Sequence, residues 1–290
     1  MNSLKTVLLL GLLSGVMLVG GQAIGGAQGL QYGLMLAFAM NFVSYFFSDK
    51  IALMMYRAQR VSAEETPEIY ARLGPMVQKL CQKMDLPMPK LWIIPEESPN
   101  AFATGRDPSH ASVACTQGIL RIMNDRELEG VLAHELGHVL HRDILISSIA
   151  ATLAAAITSL ARWAMWFGPR GNDDDERGSA WSGMLMMILA PIAAMLIQMA
   201  ISRTREYGAD AAAAKYTGRP DGLISALRKL EVGVQRMPFD TASPATAHMF
   251  ILNPFSGGGL FKLFSTHPST EERIKRLETM REGSSAYYVS

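Results

Sequence analysis

Hydrophobic positions in this chain come in long blocks set apart by polar stretches. No charged residue occurs between Lys5 and Asp49, and the glycine-rich GGQAIGGAQG interrupts that apolar run near its middle. A helix needs about 20 apolar residues to cross a bilayer. The run therefore predicts two crossings, near 4–22 and 29–47. Residues 144–161 (ILISSIAATLAAAITSLA) and 178–202 are also free of charge. They predict a second hairpin of spans, near 144–165 and 183–202. The Ala-rich third segment would also suit a buried soluble helix, but the fourth would then lack its return.

Lys5, the apolar run after it and Gly21-Gln22-Ala23 fit a secretory signal with a small-x-small cleavage site. No polar region follows the site, so an uncleaved anchor is the better reading. Between the blocks the pattern turns amphipathic. Thr66–Met84 predicts a helix with Pro67 in its first turn, and Lys90–Ile94 a strand closed by Pro95. Residues 111–115 (ASVAC) predict a second strand. Asn124 followed by Glu127 predicts a capping box that opens a helix from about Asp125.

Charge changes the picture in two ways. The net charge of +1 and the absence of any Lys/Arg cluster give no basis for nucleic-acid binding. Lys5, Lys50, Arg57, Arg60, Arg142, Arg203 and Arg205 flank the blocks on one side, whereas the opposite side interleaves Arg162, Arg170 and Arg177 with Asp173–Glu176. That asymmetry places both termini and both polar portions in the cytosol. Cys81 and Cys115 then sit in a reducing compartment, as packed thiols rather than a disulfide. The organisation expected is two spans (1–47), a first soluble portion (48–143), a transmembrane hairpin with a short acidic external loop (144–202) and a second soluble portion (203–290). Each portion alone is small for an independent core, so the two are expected to form one domain.

The chemistry lies at the edge of the third block. His134-Glu135-Leu136-Gly137-His138 is an HExxH pattern. Four residues advance a helix by about 400°, so the two imidazoles share a face one turn apart and can hold one metal ion. Glu135, beside that face, is placed to accept a proton from water. A catalytic zinc takes three protein ligands and keeps one position open. His141 lies two turns from His134 and is a poor third ligand. Glu206, in SRTREYGADAAAAKY, is the better candidate. If both helices run unbroken out of the bilayer, His138 and Glu206 emerge at a similar height. Asp210, at i+4 from Glu206, then suits a carboxylate that orients a ligand imidazole. Arg203 and Arg205 either neutralise this acidic pair or sit at the lipid headgroups.

Together HELGH, the paired spans, SRTREYGAD and the C-terminal STHP segment followed by Arg273-Ile274 resemble the HtpX-type membrane metallopeptidases, relatives of the CAAX prenyl endopeptidases. The resemblance covers nearly the whole chain. It implies one zinc ion held by His134, His138 and Glu206, with Glu135 as catalytic base. It also implies a cytosolic site and a role in stress-related quality control of membrane proteins.

The family has a segment like Asn100–Gly105 ahead of an edge strand that would bind an extended peptide through its main chain. Asn100 there is either a substrate contact or part of a turn after Pro99. His267 matches the family's C-terminal histidine. It supports the oxyanion or substrate, or else caps the next helix, where Ser269 and Glu272 form a capping box. Residues 253–262 carry no assignable role.

The fold expected is mainly α with a small β-sheet: a zincin-type peptidase domain on a four-helix transmembrane scaffold in the cell inner membrane. Its partners would be misfolded or membrane-embedded polypeptides and the bilayer, with no nucleic acid. Two rivals are a prenyl-protein protease, which needs a large apolar chamber, and a membrane adaptor with structural zinc, which needs a fourth protein ligand.

Overall fold

The computed structural model describes residues 2–147, 149, 203–236, 251 and 268–286. His267, the loop 253–262, the fourth predicted span and most of the third lie outside the described residues.

The N-terminal block forms one helical element, α1 (Asn2–Met55), which reverses within itself. Asn41 Nδ2 donates to Ser14 Oγ at 2.8 Å, whereas 27 residues of straight helix would span about 40 Å. A Cβ on Gly33 would lie 2.5 Å from the Met17 carbonyl, which shows how closely the two limbs pack. The reversal falls at Gly26, whose φ of +56° suits a residue without Cβ. The interrupting glycines thus perform the turn expected of them. One limb, Gly26–Phe47, is long and apolar enough to cross a membrane, and a shorter apolar stretch covers Thr6–Val19. The helix continues eight residues past the predicted end of the second span, to Met55.

That extension seats a small sheet of β1 (Gln59–Val61), β2 (Lys90–Ile94), β3 (Ala101–Thr104) and β4 (Ser112–Thr116), in the order β1-β2-β4-β3. Only the β2–β4 pair is parallel. Alternation along each strand divides the side chains between two faces. One row runs Arg60, Trp92, Ala114, Phe102 by register. Phe102, Ala114 and Trp92 pack with Ala52, Leu53 and Tyr56 at the end of α1. Val61, Leu91, Ile93, Val113 and Cys115 face the other way, into the main core.

The core is closed by α2 (Pro67–Met84), α3 (Gln117–Ile122), α4 (Asp125–Leu140), α5 (Arg203–Thr217), α6 (Asp221–Arg236) and α7 (Thr270–Ala286). It draws Val77, Leu132 and Leu136 from the chain before the third apolar block and Ala213, Leu227 and Leu277 from the chain after the fourth. Pro67 occupies the first turn of α2, and α4 opens on the reciprocal Asn124–Glu127 box. Cys81 and Cys115 are buried and unbonded. Burial pushes their thiols up to about 11 and about 12.

One expectation fails. The metal-pattern helix does not run unbroken into the third apolar block: α4 stops at Leu140, Arg142 takes a left-handed φ of +57°, and helix resumes at 144. The turn is held by Asp143 N–H donating to the His138 carbonyl at 2.9 Å.

Candidate active site

The site forms where α4 crosses α5. A Cβ on Gly137 would stand 3.0 Å from Ala209 Cα, so the two backbones approach nearly to contact. His134 and His138 project from α4 on either side of that crossing, with ring centroids 4.8 Å apart and planes at 86°. Glu206, from the first turn of α5, meets both. Its Oε2 lies 3.6 Å from His134 Nε2, and its Oε1 3.7 Å from His138 Nε2.

The two Nδ1 atoms face carboxylates: Asp210 at 2.9 Å from His134, and Asp143 at 3.4 Å from His138. With the Nδ1 proton facing the carboxylate, each imidazole turns Nε2 toward Glu206, the tautomer a metal ligand needs. Tetrahedral coordination at about 2.0–2.1 Å sets donors about 3.4 Å apart. One donor atom from each of His134, His138 and Glu206 lies within 4.8 Å of the other two. The donor set and its spacing fit a metal ion. His141 caps α4 at its exposed end, outside that group.

Asp210 is itself clamped. Arg273, from α7, is wholly buried. It donates to Asp210 through Nε at 2.9 Å and Nη2 at 2.7 Å, and through Nη1 to the Ile251 carbonyl at 3.0 Å. Burial opposes the Asp210 charge, but Arg273 and the hydrogen bonds to it and to His134 bring the carboxyl down to about 2. Burial and the Arg273 charge also act against a protonated His134. The bonds to Asp210 and Glu206 outweigh them and raise it to about 9.

Glu135 is buried beside the histidines, and burial pushes its carboxyl above the usual range. Its Oε2 accepts the Ala103 N–H at 2.9 Å. β3 is an edge strand among the described residues. Asn100 and Thr116 bond each other through Thr116 N–H to the Asn100 carbonyl and Asn100 N–H to Thr116 Oγ1. By alternation, the backbone groups of Ala101 and Ala103 then point away from β4, toward the open edge. Asn100 itself is buried, and its Oδ1 accepts the Ile251 N–H at 3.1 Å. It thus ties the edge strand to the segment that Arg273 also holds. Ser269 accepts the Glu272 N–H at 3.2 Å, the side-chain cap expected for α7.

Comparison with known protein families matches residues 67–281 to Peptidase family M48. The chain belongs to family M48. A protease HtpX homolog of Desulfatibacillum aliphaticivorans is 54% identical over 284 residues, 97% of this chain and 90% of that protein. Another, of Methylibium petroleiphilum, is 52% identical over 96% of this chain and 98% of its own length. The crystal structure of S. mikatae Ste24p shares the fold, with a TM-score of 0.53 and 19% identity over 95% of this chain and 65% of that one. As an M48 member the chain is a membrane-associated metallopeptidase.

Sequence reasoning missed three parts of this M48 site. Asp143 was hidden because α4 was expected to continue through it. Arg273 marked the family resemblance but carried no role, because it lies 63 residues beyond Asp210, on a helix whose local pattern gives no sign of metal chemistry. The Ala103 N–H is backbone, which no side-chain motif can reveal.

Proposed function

We propose that the chain hydrolyses peptide bonds in misfolded or membrane-tethered polypeptides at the cytosolic face of the cell inner membrane, as part of membrane-protein quality control under stress. One zinc ion per chain, held by His134, His138 and Glu206, would supply the Lewis acid that polarises the scissile carbonyl and acidifies water. The observation that carries this reading is the Ala103 N–H on Glu135: it fixes the base beside the donor cluster and joins both to an open strand edge.

An extended substrate lies along β3, bonded by the main chain of Ala101 and the carbonyl of Ala103, which demands little of its sequence. Ala103 holds one oxygen of Glu135 and leaves the other for proton transfer. Glu135 takes a proton from the attacking water and returns it to the leaving amine, and its buried site favours holding that proton between the two steps. Asp210 and Asp143 keep the imidazoles oriented. Asn100 supports the edge strand from beneath, and His267 is assigned to substrate or oxyanion support.

The test compares parent and Glu135→Gln in detergent, with zinc, on an unstructured casein-like substrate. The variant is expected to keep its zinc and lose turnover by about a thousandfold or more, since both proton transfers depend on this group. Full activity in the variant, or cleavage by the parent that persists after chelation, would overturn the proposal.

A further inference from the structure

The end of α1 carries a group of basic side chains that the catalytic reading does not use. Tyr45, Phe46 and Phe47 close the apolar limb Gly26–Phe47, and Phe42 packs on Phe46 with centroids 4.7 Å apart. Lys50 Nζ stands 5.1 Å from the Phe47 ring, and Arg106, on the loop after β3, stands 5.6 Å from the Phe46 ring. A residue of the soluble body thus reaches back to the level at which the apolar limb ends. Arg57 follows the helix in a left-handed turn. Arg60 closes the row Arg60–Trp92–Ala114–Phe102 on the sheet face that α1 covers.

These cations are poorly compensated. Elsewhere on the body Arg72, Lys79, Arg121, Arg228 and Arg281 each pair with a carboxylate. Among the described residues, Lys50, Arg57 and Arg60 have no such partner, and Arg106 has only an Nε contact to Asp107 at 3.5 Å. Asp107 is itself bonded to His110, at 2.8 Å. Met54 and Met55 are exposed beside them. Cations over aromatic rings at the end of an apolar helix, with exposed apolar side chains alongside, match the chemistry of an acidic headgroup above acyl chains.

We propose that Lys50 and Arg106, flanked by Arg57 and Arg60, form a docking surface for anionic phospholipid headgroups, and that the lipid positions the substrate-binding strand. The coupling path is short. Arg106 lies three residues beyond Ala103, whose N–H holds Glu135. Phe102 packs on Tyr56, the residue after α1, with centroids 5.6 Å apart. A headgroup that draws Arg106 toward the membrane fixes β3 against the helix end. The lipid surface itself stands on the charge pattern alone; its effect on turnover rests on the function proposed above.

The experiment reconstitutes the zinc-loaded full chain in nanodiscs of pure phosphatidylcholine or with about one third phosphatidylglycerol. Retained lipid is measured by native mass spectrometry and, separately, cleavage of a soluble unstructured peptide. The parent is expected to retain phosphatidylglycerol preferentially and to turn over several-fold faster in its presence. Each cation near a charged surface contributes roughly a fivefold preference. Arg106→Gln and Lys50→Gln should each lose about that factor of lipid preference and most of the acceleration. Activity in pure phosphatidylcholine should be unchanged, and Arg106→Lys should recover the preference. Equal retention of the two lipids by the parent, unchanged preference in both Gln variants, or equal stimulation by soluble glycerol phosphate would overturn the lipid assignment. Preferential retention without acceleration would overturn the coupling. Absence of cleavage in every disc, with lipid preference intact, would count against the catalytic reading and leave the lipid surface standing.

Discussion

The two histidines of the site stand one helical turn apart, and their surroundings differ sharply. His134 is sealed in the interior, its carboxylate partner at 2.9 Å and that partner gripped twice by a wholly buried arginine. His138 is partly exposed, and its partner Asp143 lies at 3.4 Å on the turn where α4 stops. One side of the site is built into the buried core that these distant parts of the chain share. The other side lies next to the apolar block that follows. The difference divides the labour: the inner histidine is preset by folding, while the outer one depends on how the chain leaves α4.

The largest effect should come from breaking the inner clamp. Arg273→Met leaves Asp210 buried without its counter-charge, and removing one member of a buried ion pair costs about 3–5 kcal/mol. Thermal unfolding in detergent should show a large loss, partly recovered in Arg273→Met/Asp210→Asn. Next in size, Asp210→Asn should weaken zinc binding toward the upper end of the roughly 10–100-fold range for such partners, and Asp143→Asn toward the lower end. Competition with a chelating dye measures both, and equal losses would erase the distinction between the two sides.

The smallest effect lies at the start of the same helix. Glu127 accepts from Lys229, Ser225 and the Asn124 N–H. Burial opposes its charge, but those bonds hold the carboxyl below its usual 4.5. A depressed carboxyl stabilises the fold fully above the unfolded-state value and loses that contribution as pH falls through the folded one. Glu127→Gln should therefore be about 1 kcal/mol less stable near neutral pH and converge with the parent in acid. A stability difference that does not change with pH would show that the helix start carries no charge-dependent stabilisation.

Much of this was legible in the sequence, because it followed from spacing within single elements. The HExxH face, the Asn124–Glu127 box, the β2 strand and the glycine-rich reversal all depend on neighbours within a few residues. The meeting of Glu206 with the histidines was also anticipated, although part of the reasoning rested on a helix running unbroken through 141–143, which the left-handed Arg142 interrupts. What stayed hidden depends on packing between distant segments. Arg273 finds Asp210 only because α7 folds across α5. Asn100 resembled a turn residue or substrate contact and instead bonds Ile251, 151 residues later.

The fourth letter of HELGH has a consequence of its own. With hydrogen in place of a methyl group, Gly137 lets two helix axes come close enough for a glutamate arm to span the gap to both rings. Any side chain there would act as a spacer, wedging α5 outward and carrying Glu206 with it. The proposed metal site would come apart with all three donor residues still in place. The glycine is in effect the gauge that sets the spacing of the three donors.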